Sequence, residues 1–297
     1  MRAVVIHETG GPDVLQIEEV PDPEPGDGEV LIRVEAASVN RFDLTQRAGS
    51  APRFPLVMSS TGVAAGERVD TGEHVVATAV KGNYAQLTVA PESGVHPLPN
   101  GVEVAVAAAF ATPYRTAWWG LVERAGLAKG ESLLVQGGSS STGQAAIDIG
   151  RWLGATVYAT ASERKHGRVR ELGAEPLAYD DARLGELGAD VVFDPLGART
   201  FARSLEALGQ GGRVVTPGAV GDPEVSFSIW TLVGKRARVE GIAAQDAPRK
   251  TMENLLELLG RGELHPWVER GLPLEQAAEA HRLIESDGVV GRIVLVP

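Results

Sequence analysis

Along the first third of the chain, apolar residues fall in short runs cut by glycine and proline: Ala3 to Ile6, Leu15 to Glu18, Val30 to Ala36, His74 to Ala79 and Tyr84 to Val89. These runs have strand composition, and Gly10-Gly11-Pro12 and Pro21 to Gly28 supply turn material between them. The pattern predicts a compact β-rich domain. Near Gly101 it changes. Val102 to Ala111 predicts an alanine-rich helix and Tyr114 to Ala125 a second helical stretch. From Leu133, strands at Leu133 to Gln136, Thr156 to Thr160, Val191 to Asp194, Gly212 to Thr216 and Arg238 to Ile242 alternate with helices. Those helices are Gln144 to Leu153, Glu163 to Leu172 and Arg199 to Leu208. In the first of them Ala146, Ile149 and Leu153 share one face, as a helix covering a sheet requires. Strand–helix alternation predicts a parallel, doubly wound sheet, so the fold class is α/β with a β-rich second domain.

The tail predicts a helix at Thr251 to Leu259, a short strand at Trp267-Val268, a helix at Leu274 to Ile284 and a strand at Arg292 to Val296. It is too short for a domain of its own and is expected to return and complete the first. The expected division is therefore 1–111, 112–243 and 244–297. No internal repeat or low-complexity segment interrupts it.

Composition narrows the function classes. With 297 residues, 43% hydrophobic and 23% charged, the chain has the make-up of a globular protein with one large or two modest domains. A net charge of -11 lacks the basic footprint of a nucleic-acid binder. No apolar run reaches bilayer length, and Met1 to Glu8 meets a charge too early for a secretion signal, so a cytoplasmic enzyme without membrane partners is expected. The chain has no cysteine, which excludes disulfides, cysteine nucleophiles and cysteine-ligated metals. Its six histidines (7, 74, 96, 166, 265 and 281) show no paired metal-ligand spacing.

The stretch with most chemistry is Leu133 to Gly154. A strand leads into Gly137-Gly138-Ser139-Ser140-Ser141-Thr142-Gly143 and then a helix. Small residues there let the backbone approach a pyrophosphate, which the helix N-terminus meets with free N–H groups and a positive dipole end. A glycine turn that merely packs helix on sheet is the alternative. After the second strand stand Ala161-Ser162-Glu163-Arg164-Lys165. An acidic residue here bonds the ribose hydroxyls of NADH, and a basic group meets the 2′-phosphate of NADPH. Ser162 with Arg164 and Lys165 suits a phosphate dianion, which puts NADPH ahead of NADH. Glu163 on a ribose, with Arg164 and Lys165 as a solvated helical turn, stays open.

Several further segments carry a family resemblance: Ile6 to Leu15, Pro23-Glu24-Pro25-Gly26, Gly28-Glu29-Val30, Ala36-Ala37-Ser38-Val39-Asn40 with Asp43, and Thr116-Ala117. Later come Leu172-Gly173-Ala174, Val192-Phe193-Asp194, Gly211 to Val215 and Ala280 to Ser286. Nearly end to end, the chain resembles the zinc-independent quinone oxidoreductases, the zeta-crystallin-like branch of the medium-chain dehydrogenase/reductase superfamily. The resemblance implies a Rossmann-type domain, a β-rich GroES-like catalytic domain split around it, NADPH-dependent hydride transfer to a small-molecule substrate, and a homodimer. It assigns Asn40 to the nicotinamide ribose and Thr116 to the nicotinamide, with Asp43 as a third candidate at the catalytic site. Ser162 and Lys165 fall to the adenosine phosphate and Tyr179 to the adenine side, while Arg164 stays a cofactor candidate on its charge alone. Gly137, Gly138, Ser139, Ser140, Thr142 and Gly143 form the phosphate loop, and Asp194 and Gly218 complete the cofactor set. Asn40 and Asp43 equally fit the start of a helix near Phe42.

Departures from the family pattern fall on the same sites. Ser140 replaces the central glycine of the loop and adds a side chain where close backbone approach is expected; with a hydroxyl able to donate to a phosphate oxygen, the expectation is weakened or altered binding, not loss. The segment from Gly62 to Gly72 is about one short hairpin shorter than the pattern. Thr45 stands where several members place a tyrosine. Asp287 stands where some carry a phosphate-binding arginine, and Arg292 lies nearby in sequence without being assigned that role. The histidine–glutamate pair expected of zinc members near Ser59-Ser60-Thr61 is absent. The expected function is metal-free, NADPH-dependent reduction of a quinone or α,β-unsaturated carbonyl. The alternatives are a metal-free alcohol or ketone reductase and a non-catalytic NADPH-binding sensor or structural protein.

Overall fold

Residues 1–50, 53–59, 62–220, 223–286 and 288–297 are described in the computed structural model, and the chain divides into two units. Met1–Thr112, Met252–Gly260 and Pro266–Pro297 form the first; Pro113–Thr251 with Arg261–His265 forms the second.

The spine of the first unit is the strand Glu29–Ser38. Val30, Ile32 and Val34 are buried while Glu29, Arg33 and Glu35 are exposed, the two-residue period of a strand with one face on a core. It pairs antiparallel with Gly62–Arg68 and with Leu87–Pro91. Through Val294 opposite Ser38 it also pairs with the strand Arg292–Val296. The sheet runs on to His74–Val80 and Val95–Pro97 on one side and to Val268–Pro273 on the other. A second sheet sets Arg2–Ile6 between Gln16–Glu19 and Leu56–Val57. Ile6, Ile32, Tyr84, Leu274, Ile293 and Leu295 belong to the resulting core. Gly62–Arg68 is a strand that the sequence reading does not anticipate, because Gly-Val-Ala-Ala-Gly is poor in strand formers. Pairing on both sides fixes it instead. Glu67 lies opposite His74, so a single tight hairpin occupies the shortened segment.

The second unit is built on six parallel strands. In spatial order they are Glu175–Leu177, Thr156–Thr160, Ser132–Val135, Ala189–Phe193, Leu208–Thr216 and Arg238–Gly241. Numbered by chain order this reads 3-2-1-4-5-6, the doubly wound order whose reversal point lies beside the first strand. Helix Ser141–Trp152 packs on the first two strands in chain order, with Ala145, Ala146, Ile147 and Ile149 fully buried. The chain shows the α/β class, with a GroES-like unit and a Rossmann-type unit.

Val104–Trp118 forms one helix through Pro113, not two. The proline forfeits one N–H, but Phe110, Ala111, Ala117 and Leu121 are buried along the stretch and hold it. Among the described residues no helix is long and apolar enough to cross a membrane.

Candidate functional site

At the reversal point of the six-stranded sheet, the chain leaves Ser132–Val135 and turns through Gly137, at φ 68°, into the helix Ser141–Trp152. A relay of hydrogen bonds lies under the turn. Gly137 N–H donates to Thr160 Oγ1 at 3.0 Å, and Thr160 donates to Gln136 Oε1 at 2.6 Å. Gln136 Nε2 then donates to Ser204 Oγ at 3.0 Å, and Ser204 donates to Asp194 Oδ2 at 2.7 Å. Gly138 N–H adds a bond to Thr160 O at 2.8 Å. Three strand ends are thereby fixed beneath the loop. A Cβ on Gly143 would come 2.2 Å from Gly137 O, so only glycine lets the helix start this close to the loop.

Ser140 behaves differently from the sequence expectation. It is the N-cap of the helix: its Oγ accepts from Gly143 N–H at 3.0 Å and donates to Gly137 O at 2.8 Å. The hydroxyl is committed inside the loop, so it is not a phosphate donor. An N-cap oxygen satisfies one of the orphan N–H groups of a helix start, which explains why a serine is accepted there. Ser141 and Thr142, the first two helical residues, have no intrahelical acceptor for their N–H groups. Ser139 is buried, and its carbonyl accepts from Gln144 Nε2 at 3.1 Å.

Asp194 is a second correction. Expected among the cofactor residues, it is 0% exposed. Its Oδ1 accepts from Leu196 N–H at 2.9 Å, Gly197 N–H at 3.1 Å and Thr200 Oγ1 at 2.8 Å, while Oδ2 takes Ser204. The carboxylate organises the turn after its strand and has no surface left for a ligand. Gly218 lines an open cavity of about 620 Å³ with Thr216, Pro217, Phe201 and Ile242, beyond the carboxyl ends of the last two strands in chain order. Ligands in doubly wound sheets bind outside those ends. A smaller cavity of about 300 Å³ is lined by Arg124, Arg213 and Arg238. There Glu240 pairs with Arg124, and Glu131 with Arg213 at 2.7 Å, which blunts its pull on an anion.

After the strand Thr156–Thr160, Lys165 N–H closes a tight turn on Ser162 O at 2.8 Å. Ser162 Oγ is buried with no hydrogen-bond partner, an uncommon state for a hydroxyl in a folded interior. Lys165 is 6% exposed, not a solvated helical residue, whereas Arg164 and Glu163 are exposed. Tyr179 is exposed by more than a third. Thr116 is buried within the helix Val104–Trp118.

The first unit carries Asn40 and Asp43 at the start of the helix Arg41–Thr45. Asp43 Oδ2 accepts from Asn40 N–H at 2.7 Å, the returning half of a capping box. Asp43 has no exposed surface; Tyr84 also donates to Oδ2 at 3.0 Å, and Ser59 donates to Oδ1. Its two oxygens tie together the Asn40 backbone, Ser59 and Tyr84. Behind Tyr84 stands His281, whose Nε2 is 3.2 Å from the phenol oxygen and whose Nδ1 is 3.2 Å from Arg47 Nη1. Arginine only donates, so Nδ1 is the acceptor and Nε2 carries the proton toward Tyr84. Arg47 continues to Glu285 and, from Nε, to Gly10 O at 3.0 Å.

Burial pushes the Asp43 carboxyl up to about 6, against the donors and Arg292 that favour its ionised form. Burial, aided by Arg47, drives His281 down to about 3, and burial raises Tyr84 well above its usual value. Arg292 is buried and donates from Nη1 to Val39 O at 2.8 Å and to Asn40 Oδ1 at 2.7 Å. It is built into the network around Asn40 and Asp43. The network that joins Tyr84, His281, Arg47 and Arg292 escapes sequence reading because no short spacing links its members. Thr45 is exposed. Asp287, Ser60 and Thr61 lie outside the described residues.

Known proteins resemble the chain along its whole length. Residues 26–100 match the family described as alcohol dehydrogenase GroES-like domain, and residues 172–295 the family described as zinc-binding dehydrogenase. The quinone oxidoreductase of Lama guanicoe is 32% identical over 100% of this chain and 97% of its own length. The crystal structure of an NAD-dependent alcohol dehydrogenase superposes with a TM-score of 0.90 at 31% identity, covering 100% of both chains. A mycobacterial protein complexed with NADPH superposes with a TM-score of 0.90 at 29% identity, again over 100% of both.

Proposed function

Because this chain belongs to the quinone oxidoreductase branch of the medium-chain dehydrogenase/reductase superfamily, and is an oxidoreductase, we propose that it uses NADPH to reduce a quinone or an α,β-unsaturated carbonyl. NADPH, when bound, supplies the hydride. The observation that carries the cofactor choice is Ser162: a buried, unpartnered hydroxyl at the end of the second strand, on a turn shared with the buried Lys165. A hydroxyl and an ammonium there fit the 2′-phosphate and leave no acidic partner for a bare 2′-hydroxyl except the exposed Glu163. The loop fits the pyrophosphate: Gly143 keeps its space open, and Ser141 and Thr142 hold N–H groups with no intrahelical acceptor. Gly218 borders the cavity assigned to the nicotinamide half. On the first unit Asn40 is assigned to the nicotinamide ribose, its backbone held by Asp43, and on the second unit Thr116 is assigned to the nicotinamide.

The family name zinc-binding dehydrogenase raises a metal, and the donor set does not fit one. The chain has no cysteine, and the described residues hold no group of three or more histidines and carboxylates placed for an ion. Hydrogen-bond donors in place of a Lewis acid then stabilise the charge developing on the acceptor oxygen.

A homodimer is the second part of the reading. Ile229, Trp230 and Val233 on the helix Ile229–Lys235 are exposed, Trp230 by 75%, near the edge strand Arg238–Gly241, where Val239 is also exposed. An apolar face with an open strand edge is what a second copy covers.

The test is NADPH and NADH binding by fluorescence titration, followed by NADPH oxidation against quinones, enones and simple ketones. Tighter NADPH binding with turnover of quinones or enones supports the proposal. Turnover confined to ketones makes the alcohol or ketone reductase reading correct. Failure to bind either nucleotide overturns both.

A further inference from the structure

Asn40 is an amide whose two ends offer opposite chemistry, oxygen accepting and nitrogen donating. Nothing about the residue itself decides which end faces a ligand; its neighbours do. Arg292, the first residue of the strand Arg292–Val296, is 6% exposed and donates from the single nitrogen Nη1 to Val39 O at 2.8 Å and to Asn40 Oδ1 at 2.7 Å. A guanidinium has no acceptor, so the Asn40 atom turned toward it is the oxygen. The amide nitrogen is thereby set at the other end. There, one hydrogen meets Ser38 O at a long 3.4 Å, and among the described residues the second has no acceptor. Asn40 keeps 8% of its surface exposed.

The backbone is pinned by the same elements. Val39 N–H donates to Ile293 O at 3.1 Å, beside Arg292, and Asn40 N–H is held by Asp43 Oδ2 at 2.7 Å. Main chain and amide are thus referred to one rigid strand pair and one carboxylate.

We infer that Arg292 is a positioning residue that locks Asn40 as a hydrogen-bond donor toward the nicotinamide ribose of the cofactor. The inference rests on the assignment of Asn40 to that ribose proposed above. A free asparagine would present oxygen or nitrogen; one tethered by Arg292 presents nitrogen, which meets a ribose oxygen lone pair. Two consequences separate this role from others. The nicotinamide ribose is common to NADPH and NADH, so loss of Arg292 weakens both by the same factor, whereas a phosphate contact would affect NADPH alone. Both bonds come from one nitrogen, so a lysine ammonium placed there can replace them, despite the general difference between the two cations.

The experiment measures NADPH and NADH dissociation constants by fluorescence on the full chain for wild type, Asn40→Ala, Arg292→Met, Arg292→Lys and the Asn40→Ala/Arg292→Met double variant. Asn40→Ala and Arg292→Met are each expected to raise both constants about tenfold, the scale of one lost hydrogen bond. The double variant is expected to match either single one, and Arg292→Lys to stay within about threefold of wild type. Additive losses in the double variant, a loss confined to NADPH, or Arg292→Lys binding as weakly as Asn40→Ala each overturn the inference. If Arg292→Met does not fold, Arg292→Lys against Asn40→Ala still decides. If Asn40→Ala leaves both constants unchanged, the ribose assignment fails and this inference with it. A loss in Asn40→Ala with none in Arg292→Met overturns the inference alone.

Discussion

Asp43 and His281 lie on either side of Tyr84, and burial shifts them in opposite directions, so removing either is expected to uncover the pH dependence of the other. Asp43 is raised from 3.8 to about 6 by burial. Between those values the folded chain holds a proton that the unfolded chain has released, so this contribution is full below pH 3.8 and is lost as pH rises through about 6. His281 is lowered from 6.5 to about 3 by burial and Arg47. Its contribution is full above pH 6.5 and is lost as pH falls through about 3. From pH 4 to 6 the two slopes, each about 1.4 kcal/mol per pH unit at full effect, oppose one another and largely cancel. Asp43→Asn keeps the shape of the side chain and leaves the His281 slope, so its stability falls relative to wild type on acidification. His281→Gln leaves the Asp43 slope and becomes relatively more stable over the same range. Two pH units amount to about 3 kcal/mol in each direction. At roughly 2–4 °C per kcal/mol for chains of this size, that is about 6–12 °C in Tm. The assay is thermal unfolding by circular dichroism from pH 4 to 7, read as variant minus wild type so that all other titrating groups drop out. Differences that stay flat with pH in both variants, or slope the same way, would refute the opposed pair.

Other substitutions probe the loop, the phosphate turn and the assembly. Lys165→Ala should weaken NADPH by about tenfold or more and NADH much less, by isothermal titration; equal effects would show that Lys165 does not read the 2′-phosphate. Gly143→Ala forces a Cβ to within 2.2 Å of Gly137 O and should abolish nucleotide binding while lowering stability by about 1–3 kcal/mol, checked by the same titration and by thermal unfolding. Ser140→Gly removes the N-cap at a cost of only a few tenths of a kcal/mol and releases Gly143 N–H, so NADPH affinity should hold or rise; a marked loss of affinity would assign the hydroxyl a ligand role. Trp230→Glu should convert a dimer to a monomer in light scattering at unchanged secondary structure.

What the sequence discloses depends on how far apart the interacting residues stand. The loop is legible because its strand, turn and helix are contiguous, and the alternation from Leu133 discloses the doubly wound sheet for the same reason. The network behind Asn40 is not legible: Arg292 and Asn40 are 252 positions apart, Arg47 and His281 234, Tyr84 and His281 197. Ser140 and Asp194 show a subtler limit. Both stand where chain position points to a ligand, yet both are consumed by backbone groups a few residues away. A polar side chain at a turn serves first the N–H groups nearest to it.

The pairing of Arg292–Val296 with Glu29–Ser38 has a consequence for how the protein is made. On the ribosome, residues 113–251 of the second unit emerge as one uninterrupted stretch and can collapse while synthesis continues. The first unit waits: Ala37 and Ser38 find Leu295 and Val294 only when nearly the whole of the 297-residue chain has left the tunnel. Until then the Ala37–Ser38 end of its central strand lacks a partner on that side, and the closing contacts are of the long-range kind that form slowly. Arrested nascent chains ending before Arg292 should therefore protect the second unit from protease and leave the first susceptible.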